Sequence, residues 1–335
     1  MKSNNLEVTY SQKNYSIQKV IAAVTIALFT IKIVAWYLTS SVAILTDALE
    51  YTINVVTSLV GLYSLALSAR PKDYNHPYGH GKVEFLSAAI EGTLMIVSAF
   101  LIMYEAINNF QHPHVLSKLD FGIYLIIFTA LVNYIMGEFA LRKGKKNHSL
   151  ALQASGHHIK SDTYATVGII LGLVAIHHTG YAWLDSVVAL VFALIIILSG
   201  YKILRSSVAG IMDEADEALL KRVVSLLEAS RRENWIDLHN LRIIKYGSTL
   251  HLDCHMTVPW YLNVHEAHRE IDALNTLVTE HFPEGIELFV HTDGCLDFSC
   301  AICTKTDCPV RKFSFEKKIN WTVYNISTNE KHNSV

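Results

Sequence analysis

The chain has 335 residues, of which 51% are hydrophobic and only 17% are Asp, Glu, Lys or Arg, with a net charge of −2. A soluble domain carries roughly 25% charged residues, so the composition excludes an ordinary soluble protein, and the near-neutral balance gives no support to nucleic-acid binding. Apolar residues form long runs before about residue 206 and are interspersed with charge after it, which predicts a membrane domain followed by a soluble one.

Residues 1–16 are polar and read as a cytoplasmic N-terminal segment rather than a secretory signal. Runs of about 20 apolar residues, the length that crosses a bilayer, then occur six times, over roughly 17–39, 42–68, 84–110, 119–142, 150–177 and 183–205. The connections alternate in charge. Arg70, Lys72 and Lys82 lie between runs two and three, and Arg142, Lys143, Lys145 and Lys146 between four and five. Lys2, Lys13 and Lys19 precede or open the first run, Lys202 and Arg205 end the sixth, and the remaining connections hold one cation, Lys118. Positive charge marks the cytoplasmic side. The expectation is a multi-pass protein of an inner or plasma membrane with both termini and the soluble domain in the cytoplasm.

The second run carries Glu50 and Asn54, and the fifth carries His158 and Asp162. Each pair is spaced four apart and so shares a helix face. An Asp near a helix centre costs roughly 2.5–3.5 kcal/mol on insertion scales, which marks such a residue as functional when a partner is at hand. At 1.5 Å per residue, Asn54 lies roughly 22 Å and Asp162 roughly 18 Å from the inner ends of their oppositely directed helices. The four side chains at matched depth offer two carboxylates, an imidazole and an amide oxygen, a set suited to zinc or a borderline first-row cation, with iron and manganese open. Glu91, in the third run, is a further intramembrane carboxylate, read as a helix–helix contact rather than a relay.

After residue 206 the pattern changes to "DEALLKRVVSLLEAS" with helical spacing, "HNLRIIKYG" and "TLHLDCHMTV" with strand alternation, "NVHEAHREIDALNTLVTEHF" as a helix and "IELFVHTD" as a strand. This gives an α-β-β-α-β domain over 206–294. The segment 295–335 opens with Cys295, Cys300, Cys303 and Cys308, spaced like a thiolate metal site, with zinc ahead of an iron–sulfur cluster. From about Val310 it is polar without periodicity, and disorder or a short dimer arm is expected.

The motifs "LTDALEYTIN", "RPKDYNHPYGHGKVE", "HHIKSD", "LDSVVAL" and "HTDGC" resemble those of the cation diffusion facilitator family, exporters of divalent metals driven by proton antiport. The resemblance covers roughly residues 17–295. It implies an all-α six-helix transmembrane domain over 17–205, followed by a cytoplasmic α+β, metallochaperone-like domain, in a homodimer. It carries the transport site to Glu50, Asn54, His158 and Asp162, although the family commonly has His or Asp first and Asp second on its second span. It also implies a loop metal site at Asp73, His76 and His80, and a binuclear zinc site at His239, His255, His268, His291 and Asp293. Lys82 and Asp213 match a charged pair at the dimer contact.

The function so implied is efflux of a divalent cation, zinc or iron first, by alternating access and proton exchange. An imidazole, which ordinarily titrates near a pKa of about 6.5, suits the proton switch. Two other readings are a membrane metal sensor without transport and a histidine-box oxygenase suggested by "HPYGH" and "GHH". The oxygenase needs about eight histidines at one di-iron centre, so the chain is read as no enzyme.

Overall fold

The computed structural model describes the backbone of residues 2–39, 42–111, 120–179, 183–247, 249–282 and 286–334. It describes side chains within 12–37, 51–104, 106–108, 127–168, 183–184, 186–247, 249–282 and 286–334. The chain divides into two compact units, one spanning Val8–Met212 and the other comprising Asp213–Val335 together with Met1–Glu7.

The first unit is built from long helices: α1 (Lys2–Thr39), α2 (Val42–Ser68), α3 (Val83–Gln111), α4 (Asp120–Lys146), α5 (Leu150–Thr179) and α6 (Trp183–Ile211). Several outrun their apolar stretches, because backbone hydrogen bonding does not stop where hydrophobicity does. Helix α1 begins in the polar segment and α4 continues through its lysines. Past α6, Asp213 takes φ 56°, a left-handed conformation of the kind that ends helices. Among the described residues, α1, α2, α3 and α6 are long and apolar enough to cross a membrane. Helices α4 and α5 have similar lengths but carry Glu138, His158, Lys160 and Asp162.

Small residues bring these helices together, as is usual where apolar side chains gain nothing by leaving lipid. A Cβ on Gly92 of α3 would lie 2.9 Å from the carbonyl oxygen of Gly200 on α6, and one on Gly200 equally close to that of Gly92. Helices α4 and α5 meet in the same way at Gly137 and Gly156. Buried polar groups cross-link the bundle. The Glu84 carboxylate on α3 accepts from Ser68 of α2 at 2.9 Å and from the Ser149 hydroxyl just before α5. On α5, Lys160 pairs with Glu138 of α4 at 3.0 Å.

In the second unit, α7 (Glu217–Ala229) and α8 (Val264–His281) accompany β1 (Asp237–Tyr246), β2 (Thr249–Val258) and β3 (Ile286–Gly294) in a sheet of order β1-β2-β3. Strands β1 and β2 form an antiparallel hairpin, with Tyr246 opposite Thr249 and Gly247 at φ 63° in the two-residue turn. Strand β3 returns parallel to β2 after the α8 crossover. Both helices have clear starts. Asp216 accepts from the Leu219 amide at 3.0 Å to cap α7, and Asn263 with Glu266 forms a capping box on α8. Val223, Leu227, Leu238, Leu252, Met256, Leu274 and Val278 fill the core.

The C-terminal segment corrects the expectation of disorder. A short 3-10 helix (Asp297–Ala301) and α9 (Val323–Ile326) belong to this unit. Trp321 and Ile326 are buried in the same core as the sheet. The Arg231 guanidinium stacks over the Trp321 ring at 4.2 Å, and the Asn240 amide donates to the Thr328 carbonyl at 2.6 Å. Two buried apolar anchors, with Val323 packed partly between them, suffice to hold the segment, yet they set no period that reads as an element.

Candidate metal centres

Helices α2 and α5 pack against each other and bring Asn54, His158 and Asp162 together. The Asn54 amide is the bridge: Oδ1 stands 3.0 Å from His158 Nε2, and Nδ2 donates to Asp162 Oδ2 at 2.6 Å. Zinc held by N and O ligands at about 2.0–2.2 Å sets neighbouring ligands roughly 3.3–3.5 Å apart in a tetrahedron. The imidazole and amide oxygen are thus within a few tenths of an ångström of ligand spacing. Glu50 lies on α2, but its side chain falls outside the described residues.

The cavity at this point is also lined by Tyr51, Ser155 and Glu91. Glu91, fully buried on α3, accepts from the Ser155 hydroxyl at 2.9 Å, which makes it the contact between α3 and α5 that its sequence position suggested. It also adds a carboxylate to the cavity wall, a role that run-by-run reading of the sequence did not give it. Its Oε2, like Nδ1 of His158, is buried without a hydrogen-bond partner among the described protein atoms. Such atoms cost about 1–3 kcal/mol each when left unsatisfied, and a cation or its hydration water suits them. Lys32 of α1 was missed altogether because its neighbours are apolar. It is buried, with its ammonium 4.2 Å from the centre of the Tyr51 ring.

The loop after α2 folds around Asp73. The Asp73 carboxylate accepts from the His76 amide at 2.7 Å and lies 3.1 Å from His76 Nδ1 and 3.3 Å from His80 Nε2. Gly79 at φ 92° provides the turn that returns His80 to Asp73. The His76 amide holds the Asp73 carboxyl below its usual range, so it stays a charged oxygen donor.

In the sheet, register aligns three histidines in one row, with His239 on β1 opposite His255 on β2, and His255 beside His291 on β3. The Asp293 carboxylate reaches all three, at 3.6 Å from His239, 3.4 Å from His255 and 3.7 Å from His291. A bulge after His239, with Asn240 at φ 52°, breaks the β1 ladder beside the cluster. Burial, reinforced by the neighbouring His239, holds His255 below the ordinary imidazole range, which favours the neutral form that ligates metal. The ligand atoms of His239, His255 and Asp293 lie within 4.8 Å of one another, as do those of Asp73, His76 and His80. His268 is apart from this row: it is exposed on α8 with Asp272 3.8 Å away.

The tail adds two groups that the sequence reading left out. Lys331 Nζ lies 3.4 Å from Asp293 Oδ1, and His332 Nδ1 lies 2.5 Å from Asp237 Oδ1. Burial alone would raise the Asp237 carboxyl, but hydrogen bonds from His239 and His332 outweigh it and hold it well below the usual carboxylate range. A lysine at Asp293 competes with any metal there. Partly exposed pairs of this kind are worth about 0.2–1 kcal/mol, so Lys331→Ala should tighten zinc binding at the sheet cluster by about 1.4- to fivefold. Zinc titration of the detergent-solubilised protein at low ionic strength checks this, and the gain should fade as salt rises.

Lys82 opens the turn into α3, and Asp213 follows α6. The four C-terminal cysteines line one cavity, whereas Cys254 points into the sheet core, where burial pushes its thiol up to about 12.

The sequence model of the cation efflux transmembrane domain matches residues 19–212, and that of the cation efflux protein cytoplasmic domain matches 215–295. The chain belongs to the cation diffusion facilitator family. An uncharacterized transporter of Synechocystis sp. is 30% identical over 255 residues, covering 76% of this chain and 82% of that protein. The cation-efflux pump FieF of Shewanella oneidensis is 25% identical over 272 residues, covering 81% and 90%. A cadmium, cobalt and zinc/H(+)-K(+) antiporter of Bacillus subtilis is 26% identical over 239 residues, covering 71% and 76%. This cation diffusion facilitator is therefore a membrane protein of a cation-transporter family and not an enzyme. The oxygenase reading is set aside, since the histidines serve a loop, a helix and a sheet rather than one di-iron centre.

Proposed function

We propose that the protein exports a divalent transition-metal cation from the cytoplasm in exchange for protons, with alternating access around Glu50, Asn54, His158 and Asp162. The observation that carries this reading is the Asn54 amide lying between His158 and Asp162 on two facing helices. Zinc and iron are the leading cargoes and manganese stays open. The name of the FieF relative supports an efflux role, and that of the Bacillus subtilis relative supports antiport with zinc among cadmium, cobalt and zinc as cargo. In this reading all six long helices cross the membrane and both termini are cytoplasmic, with α4 and α5 turning their polar groups inward.

Metal leaves when the outward-facing site takes up protons, because a protonated imidazole cannot ligate. Glu91 stands beside Ser155, one turn from His158 towards the start of α5, and extends the polar wall along the cavity. The loop cluster Asp73, His76 and His80 binds a second ion. The cluster of His239, His255, His291 and Asp293, with His268 from α8, takes zinc that tightens the dimer of sheet domains, and Lys82 and Asp213 contribute to the dimer contact.

Vesicles reconstituted with the purified protein and acidified inside test the transport claim. They should accumulate zinc while the lumen becomes more alkaline. Zinc binding without uptake would instead mark a sensor.

A further inference from the structure

We infer that Cys295, Cys300, Cys303 and Cys308 form a four-thiolate zinc site that staples the C-terminal extension to the sheet domain. The matched cytoplasmic domain ends at residue 295, so three of the four ligands lie beyond it. All four thiols are free and line a single cavity. Cys295 is anchored where β3 ends, its amide donating to the Val258 carbonyl at 2.9 Å. Cys300 lies in the 3-10 helix and Cys303 just after it, buried against Ile236 and Ile302.

The surroundings fit an anionic metal centre. Zinc with four thiolates carries a net charge of 2−, which costs heavily in a partly buried place unless cations offset it. Lys305 and Arg311 line the same cavity. Arg311 also fixes the loop, donating to the carbonyls of Cys300 at 2.9 Å, Cys303 at 3.0 Å and Lys305 at 2.6 Å. Arg231 donates to the carbonyls of Trp235, Ile236 and Ile319, and Ile236 packs in one cluster with Cys303. Among the described residues, the loop and sheet clusters are the ones with ligand atoms already within 4.8 Å. The thiols must therefore rotate inward on binding, and the cavity between them leaves room for that. Soft sulfur ligands favour zinc over a hard cation.

The consequence is positional. The chain past Cys308 returns to the domain, where the Glu316 amide donates to the Ala301 carbonyl at 2.8 Å before Trp321 and Ile326 enter the core. The staple thus sets the register in which Lys331 reaches Asp293.

The test uses full-length, metal-free protein in detergent with cobalt(II) as the probe. A thiolate-to-cobalt charge-transfer band with tetrahedral d–d bands should appear and saturate at one cobalt per chain. It should lose most of its intensity in a Cys300→Ser/Cys303→Ser double variant and persist in Asp162→Ala and His255→Ala, since nitrogen and oxygen ligands give no such band. In the unmutated protein, zinc should slow alkylation of these four thiols by about tenfold or more, reversibly with chelator. The assignment is overturned by a cobalt spectrum without the thiolate band, by alkylation indifferent to zinc, by disulfides among the four cysteines, or by acid-labile sulfide in the purified protein.

Discussion

Asp162→Ala abolishes zinc uptake into acid-inside vesicles while leaving the protein folded. Loss of a partner that merely orients a metal ligand already costs about 10–100-fold in affinity or activity, so removing a ligand should reduce flux by more than about 100-fold. Two consequences of the geometry sharpen this. Asp162 Oδ2 accepts from Asn54 Nδ2 at 2.6 Å, so its loss also frees the amide that presents Oδ1 to His158. It also removes negative charge that offsets a 2+ ion in low dielectric. Size-exclusion behaviour and thermal unfolding in detergent should stay close to the parent, because no core packing is lost. The loop, sheet and thiol clusters remain, so total zinc binding should fall only in part while flux disappears.

Asn54→Asp should increase the coupling of metal to protons. The substitution sets a second carboxylate against Asp162 at a spacing where the amide now donates. Two adjacent carboxylates cannot both stay charged without a cation between them, and in the empty site they share a proton. Metal binding then expels that proton as well. The slope of log affinity against pH should steepen by about one unit, making binding about tenfold more sensitive per pH unit. The sign follows: binding strengthens as pH rises, and release on the acidic side becomes sharper. Competition among zinc, iron, manganese, cobalt, nickel and cadmium in the same flux assay should show a changed order of preference if the Asn54 amide sets selectivity. A pH slope equal to the parent's would mean that Asn54 is not part of the site.

The long helices were legible because they rest on strong local signals, and so was the approach of Asn54 on α2 to His158 and Asp162 on α5. Long apolar runs have little alternative to spanning helices, and polar residues four apart inside them have a single face to share. Other features lay in tertiary contacts that leave no local trace. Asn14 and Gln18 of α1 are buried, although one lies in the segment that composition reads as a polar tail and the other at the start of an apolar run. Lys32 vanished into an apolar run, although its ammonium packs on Tyr51 next to the Asn54 face. The histidine row emerged through family resemblance, since His239, His255 and His291 become neighbours only once strand register is set. The tail was read as disorder or a short dimer arm because Trp321, Val323 and Ile326 carry no helical or strand period over a useful length, while their packing depends on a core built elsewhere.

The central claim is that one divalent cation is held between α2 and α5. Anomalous X-ray diffraction from zinc-loaded crystals of the full-length protein tests it most directly. The prediction is a zinc peak bonded to Asn54 Oδ1, His158 Nε2 and an Asp162 oxygen at about 2.0–2.2 Å. Zinc at the loop and sheet clusters alone, in protein that transports zinc under the same conditions, would contradict it.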